Sequence, residues 1–176
     1  MRYQLIPYVF NGMSWNLSDE MIKGVFYKMA GHDLIKTVFL DGKIKTPEQF
    51  LQLAKSPGNV VHIILDAGGQ LVFWAYLNSF GWNHAFGHFC GFPDIWGKAQ
   101  ELGKMTLDYW FGMPGRQSDR PLFDLICGRV PADNSLAIGF VKKLGFTVLP
   151  VIPKMIWDEY QQAAVGAVFC YKEREA

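Results

Sequence analysis

Two stretches of this chain carry residue types at spacings that could do chemistry. The first is Val130-Pro131-Ala132-Asp133-Asn134-Ser135, where a strand runs into a turn that sets Asn134 at the mouth of a short helix ending at Gly145. An Asn there can be a plain N-cap, its side-chain oxygen taking a free backbone amide. It can equally project a donor and an acceptor into the crevice at the carboxyl ends of sheet strands, where α/β folds bind ligands. The second stretch is His84-Ala85-Phe86-Gly87-His88-Phe89-Cys90, in which His84, Phe86 and His88 alternate onto one face of a strand. A histidine titrates near neutrality and suits proton transfer; it also serves as a half-buried hydrogen-bonding group in a sheet. Joint metal binding by His84 and His88 does not fit, because residues four apart on a strand lie about 13 Å apart and no Cys or carboxylate completes a set. Gly68-Gly69 reads as a hairpin turn, without the Lys-Ser/Thr of a nucleotide loop. Cys127 has no neighbouring His in sequence and reads as an inert thiol, and Lys142-Lys143 as a solvated helix face.

The elements that must position these groups follow from periodicity. Arg2 to Phe10 reads as a strand. Ser18 caps a helix carrying Met21, Ile22, Val25, Phe26 and Met29, stopped by Gly31. Thr46-Pro47 opens a short second helix. Strands follow at Val60 to Asp66, Leu71 to Asn78 and His84 to Phe92. A helix from Gly97 to Phe111 places Ala99, Leu102, Met105, Thr106 and Tyr109 on one face. Leu122 to Val130 is a strand, Asn134 to Leu144 a helix, and Phe146 to Ile152 and Ala163 to Tyr171 are the closing strands. This order predicts an α/β (α+β) fold with one mixed, mostly antiparallel sheet and helices on both faces. The 176 residues suit a single domain over 1–176.

Composition narrows the function classes. Half the residues are hydrophobic and 19% are charged, so the chain can bury a core and is not globally disordered. With 17 Lys+Arg against 16 Asp+Glu, no bulk field favours nucleic acid, and no basic stripe is visible. No apolar stretch approaches the roughly 20 residues of a membrane span, and the N-terminus lacks the pattern of a secretory signal. The three cysteines form no disulfide framework, so a reducing cytoplasm is the expected setting.

The run Asn134, Ala137, Lys143, Leu144, Gly145 and Phe146 resembles the second conserved motif of the GNAT superfamily of N-acetyltransferases, and the element order agrees along nearly the whole chain. Trp96-Gly97-Lys98, the Pro131-to-Asn134 turn and the closing Gly-Phe also resemble divergent members carried by phages and prophages. The resemblance implies the acyl-CoA N-acyltransferase fold, acetyl-CoA as co-substrate with no metal, and direct transfer to an amine of a small molecule or protein. It places the cofactor beside the backbone of Phe89 and Gly91, then at Trp96, Gly97, Lys98 and Ala99, and at Asn134. There, free amides at a helix start would hold the pyrophosphate. This chain departs from the family's phosphate loop at each signature position: Trp96 for Gln/Arg, Ala99 for the first Gly and Glu101 for the second. The usual acid, a Tyr on the helix after the Asn, is Val141 here. By the same resemblance His88 is the expected base and Ser135 an assisting group. Tyr8, Phe10, Trp15, Phe26 and Tyr27 fall either in the core or on the acceptor side. A second class of function is a GNAT-shaped binding or interaction module without catalysis, favoured by the altered loop, Glu101 and Val141. The apolar C-terminal strand is a candidate for a homodimer sheet.

Overall fold

The computed structural model describes residues 2–115 and 120–175. Seven strands form one sheet: β1 Tyr3–Pro7, β2 Val60–Asp66, β3 Leu71–Asn78, β4 His84–Gly91, β5 Leu125–Pro131, β6 Thr147–Asp158 and β7 Ala163–Glu173. Their spatial order is β1-β2-β3-β4-β5-β7-β6, and every neighbouring pair is antiparallel except β4 and β5. The helices are α1 Asp19–Gly31, α2 Ile35–Val38, α3 Pro47–Lys55, α4 Ala99–Phe111 and α5 Ser135–Lys143. The expected mixed sheet with helices on both faces is the one observed.

Local chemistry explains the starts of α1 and α3. The Ser18 hydroxyl accepts from the Met21 amide, and Thr46 and Gln49 form a reciprocal capping box around Pro47 at the first helical position. At the β2–β3 hairpin, Asp66 Oδ1 accepts from the amides of Gly68 and Gln70, and Gly69 takes a φ of +77° that glycine adopts without strain.

Alternation along the strands sorts the core into two layers. Val61, Ile63, Trp74 and Tyr76 point to the face covered by α1 and α3, against Ile22, Val25, Met29 and Phe50. Ile64, Phe73, Ala75, Leu77 and Ala85 point to the other face, against Leu102, Leu107 and Trp110 of α4 and Val141 of α5. Tyr8 and Phe26 belong to the first layer, whereas Phe10 and Tyr27 are exposed. Trp15 packs partly buried against the same layer.

Several boundaries differ from the sequence expectation. The first strand is confined to Tyr3–Pro7, after which Phe10 pairs only in an isolated bridge with Trp15. A four-residue helix, α2, was unforeseen. The strand expected at Leu122 to Val130 begins at Leu125. The helix expected from Gly97 starts at Ala99, after two turns of 3-10 helix over Pro93–Lys98. Its buried face is Leu102, Gly103, Thr106, Leu107 and Trp110, rotated from the expected one, and Tyr109 is exposed. β6 runs to Asp158 despite Pro150 and Pro153, because register shifts absorb both prolines, which cannot donate to a ladder. β7 pairs with β5 on one side and β6 on the other, so the C-terminal strand is interior and offers no edge for a dimer sheet. The edge on that side is β6, blunted by its prolines and bulges.

Candidate functional site

The parallel ladder between β4 and β5 is short. It joins His84 to Leu125, Ala85 to Ile126 and Phe86 to Cys127, and then stops. Gly87 to Gly91 and Gly128 to Pro131 therefore run on without a β4–β5 ladder, although β3 and β7 still pair them on their outer sides. Each strand then feeds a helix start: β4 leads through the 3-10 turns into α4, and β5 turns at Asp133 into α5.

At the α5 start, Asn134 is the N-cap. Its Oδ1 accepts from the Ala137 amide at 3.0 Å. That bond leaves the side-chain amide's donors unspent by any protein partner among the described residues. Asn134 also lines a cavity of about 440 Å³ together with Pro131, Asp133, Asp158, Tyr160 and Lys36. The wall formed by the β6–β7 turn is built by Asp158, a buried carboxylate that accepts from the amides of Tyr160 and Gln161 and from Gln161 Nε2. Lys36 Nζ lies 5.6 Å from the centre of the Tyr160 ring, closing the opposite wall. Ser135, the first residue of α5, is exposed. Val141 is buried in the core and offers no acid.

The α4 start is built differently. Pro93 opens the 3-10 turns, and the Ala99 amide donates to the carbonyl of Trp96. That amide is therefore not free for an anion, contrary to the expectation of open amides across Gly97 to Ala99. The 3-10 segment is tied to the sheet by Lys28 of α1, whose Nζ donates to the Leu71 carbonyl at 2.6 Å and meets Asp94 at 3.3 Å. The Trp96 indole N–H donates to the Gly91 carbonyl at 3.1 Å, with the ring half exposed. Gly97 has open space where a side chain would stand, and Gly97, Lys98 and Lys143 line a groove of about 890 Å³ along α4. Neither lysine has an ion-pair partner among the described residues. Glu101 is exposed on the same groove and does not plug it.

On the sheet face away from α4 and α5, a row of rings crosses β3 and β4. Phe39 stacks on Trp74, Trp74 on Tyr76 with centroids 5.5 Å apart, and Tyr76 on His88 at 4.2 Å with planes 9° apart. His88 Nε2 lies 3.1 Å from Asn78 Oδ1, an arrangement in which Nε2 donates and Nδ1 is left as the acceptor. Burial, helped by the charge of Arg129, pushes the His88 pKa down to about 4. The imidazole is thus neutral at pH 7 and only a weak base. Phe89, one residue on, points to the opposite face against Trp110 and Phe140. His84 sits at the far end of β4, against Gly81. The described residues bring Asn134, Asp158 and Tyr160 to one cavity and Gly97 with Lys98 to another, while His88 lies on the sheet face.

Arg129, Tyr76 and Asp158 were not singled out in the sequence. Arg129 left one signal: a charged residue inside the apolar strand Leu125 to Pro131. Tyr76 and Asp158 left none, since their roles come from stacking and turn contacts across the fold.

Neither a protein-family model nor a curated protein matches the sequence. Solved structures do match the fold. A spermidine N-acetyltransferase from Vibrio cholerae in complex with CoA and spermine superposes with a TM-score of 0.72 at 13% identity, covering 98% of this chain and 95% of that one. A dodecameric structure of spermidine N-acetyltransferase from the same organism gives 0.70 at 14% identity, covering 98% and 94%. The superposition runs over nearly the whole of each chain, so this chain has the fold of these N-acetyltransferases, the acyl-CoA N-acyltransferase fold expected from the sequence.

Proposed function

We propose that the protein is an acetyl-CoA-dependent N-acetyltransferase acting on an amine. The observation that carries this reading is the β4–β5 ladder that ends at Phe86 and Cys127, with the cavity capped by Asn134 lying at the end of β5. Within the GNAT fold, such a gap between strands is where an extended thioester tether fits. The residues present suit that group in part. Open space at Gly97 and Lys98, which has no ion-pair partner among the described residues, suit phosphates, and the backbone of Phe89 and Gly91 lies on the expected tether route beyond the end of the ladder. Asn134 brings its side-chain amide donors to the cavity. Trp96 borders the same route and holds the Gly91 carbonyl.

The bound thioester would supply an activated acetyl carbon. The chain's own groups then have defined work. Backbone amides beyond Phe86, released from the ladder, can steady a developing oxyanion. His88 Nδ1 can accept a proton from the attacking amine, and Ser135 stands exposed at the α5 start to assist. Because burial holds the His88 pKa down to about 4, it keeps its lone pair across the neutral range.

Titration calorimetry with CoA tests the reading. Binding is expected, and Asn134→Ala should weaken it about tenfold while lowering stability by roughly 1 kcal/mol through the lost cap. Asn134→Asp keeps the cap and separates the two effects. No heat with CoA at millimolar concentration would overturn the proposal. The specific observations at the α4 start favour a second reading, a binding module of the same fold: the Ala99 amide is spent and the Gly91 carbonyl is taken. CoA binding without thiol release on any amine would support that alternative.

A further inference from the structure

Arg129 is the exposed residue of β5, set between buried Gly128 and Val130. Strand alternation turns it to the sheet face away from α4 and α5, alongside Cys127 and Pro131. Its guanidinium carbon lies 5.2 Å from the centre of the Phe86 ring. Phe86 in turn meets Phe169 edge to face at 5.9 Å, and Phe169 is the β7 partner of Arg129. Phe86, His88 and Phe169 are each partly exposed, so this part of the sheet is a floor open to solvent.

The charge at its centre is unmatched. Among the described residues, no carboxylate pairs with Arg129 and no acceptor takes its N–H groups. An acid that acts on the same floor is Asp41, which reaches Tyr76 from the loop after α2 and is itself engaged by the amide and ammonium of Lys43. By contrast, Arg174 has Asp124 at 3.0 Å. A guanidinium held over an aromatic ring keeps its planar fork oriented, and such a fork binds carboxylates in a bidentate manner. Pro131, two residues along and on the same face, lines the cavity that Asn134 caps. Two residues of strand are roughly 7 Å, a span that one small acceptor can bridge.

We propose that Arg129 is a specificity-determining residue that binds a carboxylate on the acceptor, so that the acceptor is an amino-carboxylate compound rather than a polyamine. This rests on the N-acetyltransferase reading and names the substrate class of that same site. The carboxylate lies on the Phe86–Phe169 floor, and the amine is directed toward Asn134 and the gap between β4 and β5. A polycationic acceptor would instead bring ammonium groups against an uncompensated guanidinium, which disfavours binding.

The test compares matched pairs that differ only in the charge of one group. Glycine, β-alanine and γ-aminobutyrate are assayed beside their carboxamides, spermidine is included, and thiol release from acetyl-CoA is followed. A tetrapeptide bearing Glu is run against its Gln counterpart to distinguish a free amino acid from a peptide as the source of the carboxylate. The carboxylate member of at least one pair should show kcat/KM at least tenfold above its amide. Arg129→Gln should remove that preference, and Arg129→Lys should retain part of it, with an unchanged melting temperature because the side chain is exposed. Equal rates within every pair, or a preference for spermidine, would overturn the assignment while leaving acetyl transfer standing. If CoA binds but no amine is consumed, calorimetry of γ-aminobutyrate and its amide on the CoA-loaded protein decides: tighter carboxylate binding lost in Arg129→Gln supports the role, and equal or absent heats end it. Absence of CoA binding removes the acetyltransferase reading and this one with it.

Discussion

The helices α4 and α5 pack on the same face of the sheet and begin at the ends of adjacent strands, yet they are anchored differently. α5 is nine residues long and is fixed at its start, where Asn134 accepts from Ala137 and the turn closes through the Ser135 amide on Asp133. α4 has no side-chain cap and begins on a 3-10 segment. Its anchors lie further along. Gly103 is pressed against Phe140 and Leu144, and Trp110 is fully buried with its indole donating to His62 at 3.3 Å. The contrast separates two ways of presenting a helix start to a ligand. One is preset by a local cap, and the other is uncapped and positioned by packing along the helix, from Gly103 about one turn in to Trp110 about three turns away.

The far anchor of α4 is the place to break that contrast most strongly. His62 is buried, and desolvation holds its pKa down to about 4 from 6.5. Its Nδ1 accepts from Trp110, and no partner among the described residues meets Nε2. In the unfolded chain this histidine takes up a proton near pH 6.5, whereas the folded chain resists it until about pH 4. Stability from this group is therefore complete above pH 6.5 and declines as the pH falls toward 4, by about 3 kcal/mol in all. Denaturant titrations at several pH values should show that slope. His88, shifted in the same direction, adds its own share. His62→Gln keeps an acceptor for Trp110 and removes one titration, so it should reduce the slope by roughly half. An unchanged slope would mean that His62 is not the acid-sensitive anchor of α4.

A smaller effect is expected where the two helices meet. A Cβ at Gly103 would stand 2.7 Å from Phe140 Cζ and 2.8 Å from a Leu144 methyl. Gly103→Val forces both side chains to move and tilts α4 away from α5. Overpacking of this kind costs about 2 kcal/mol, and gains in helix propensity offset only part of it. Thermal unfolding measures the loss. Because α5 is fixed by its own cap, CoA contacts at Asn134 should survive while those at Gly97 and Lys98 weaken; equal weakening at both sites would erase the distinction between the two starts.

How much of this was legible in the sequence follows the same division. The turn into α5 could be read because an N-cap, a short apolar period and a terminating Gly are local signals within one helix length. The strand pairs around Gly68-Gly69 were legible for the same reason. The α4 start was not, because its 3-10 segment is tied down by Lys28, which reaches across from α1 to the Leu71 carbonyl and Asp94. Helical spacing also misplaced the buried face of α4, since Trp110 and Gly103 are buried by their partners on β2 and α5. His88 was visible as a titratable group at a useful position. Its depressed pKa was not, because the burial of its ring and the charge of Arg129 come from other strands. β6 hid its length behind two prolines that only the partner strand β7 makes tolerable.

The mildest change bears most directly on the uncapped start. Trp96 is half exposed, and its indole N–H is committed to the Gly91 carbonyl at the end of β4. Trp96→Ala removes the buried half of the indole and its hydrogen bond to Gly91, so it should lower stability by about 1 kcal/mol. The consequence for ligand binding has the opposite sign from an ordinary truncation. A freed Gly91 carbonyl can accept from the amides of an extended tether, and a net hydrogen bond of about 1 kcal/mol corresponds to roughly fivefold tighter CoA binding. Calorimetry on the variant gives the sign directly. Weaker binding would instead make the indole part of the cofactor surface, with the 3-10 segment acting as a preset platform like the cap of α5. Tighter binding identifies Trp96 as a side chain that must turn aside before the tether can lie along β4.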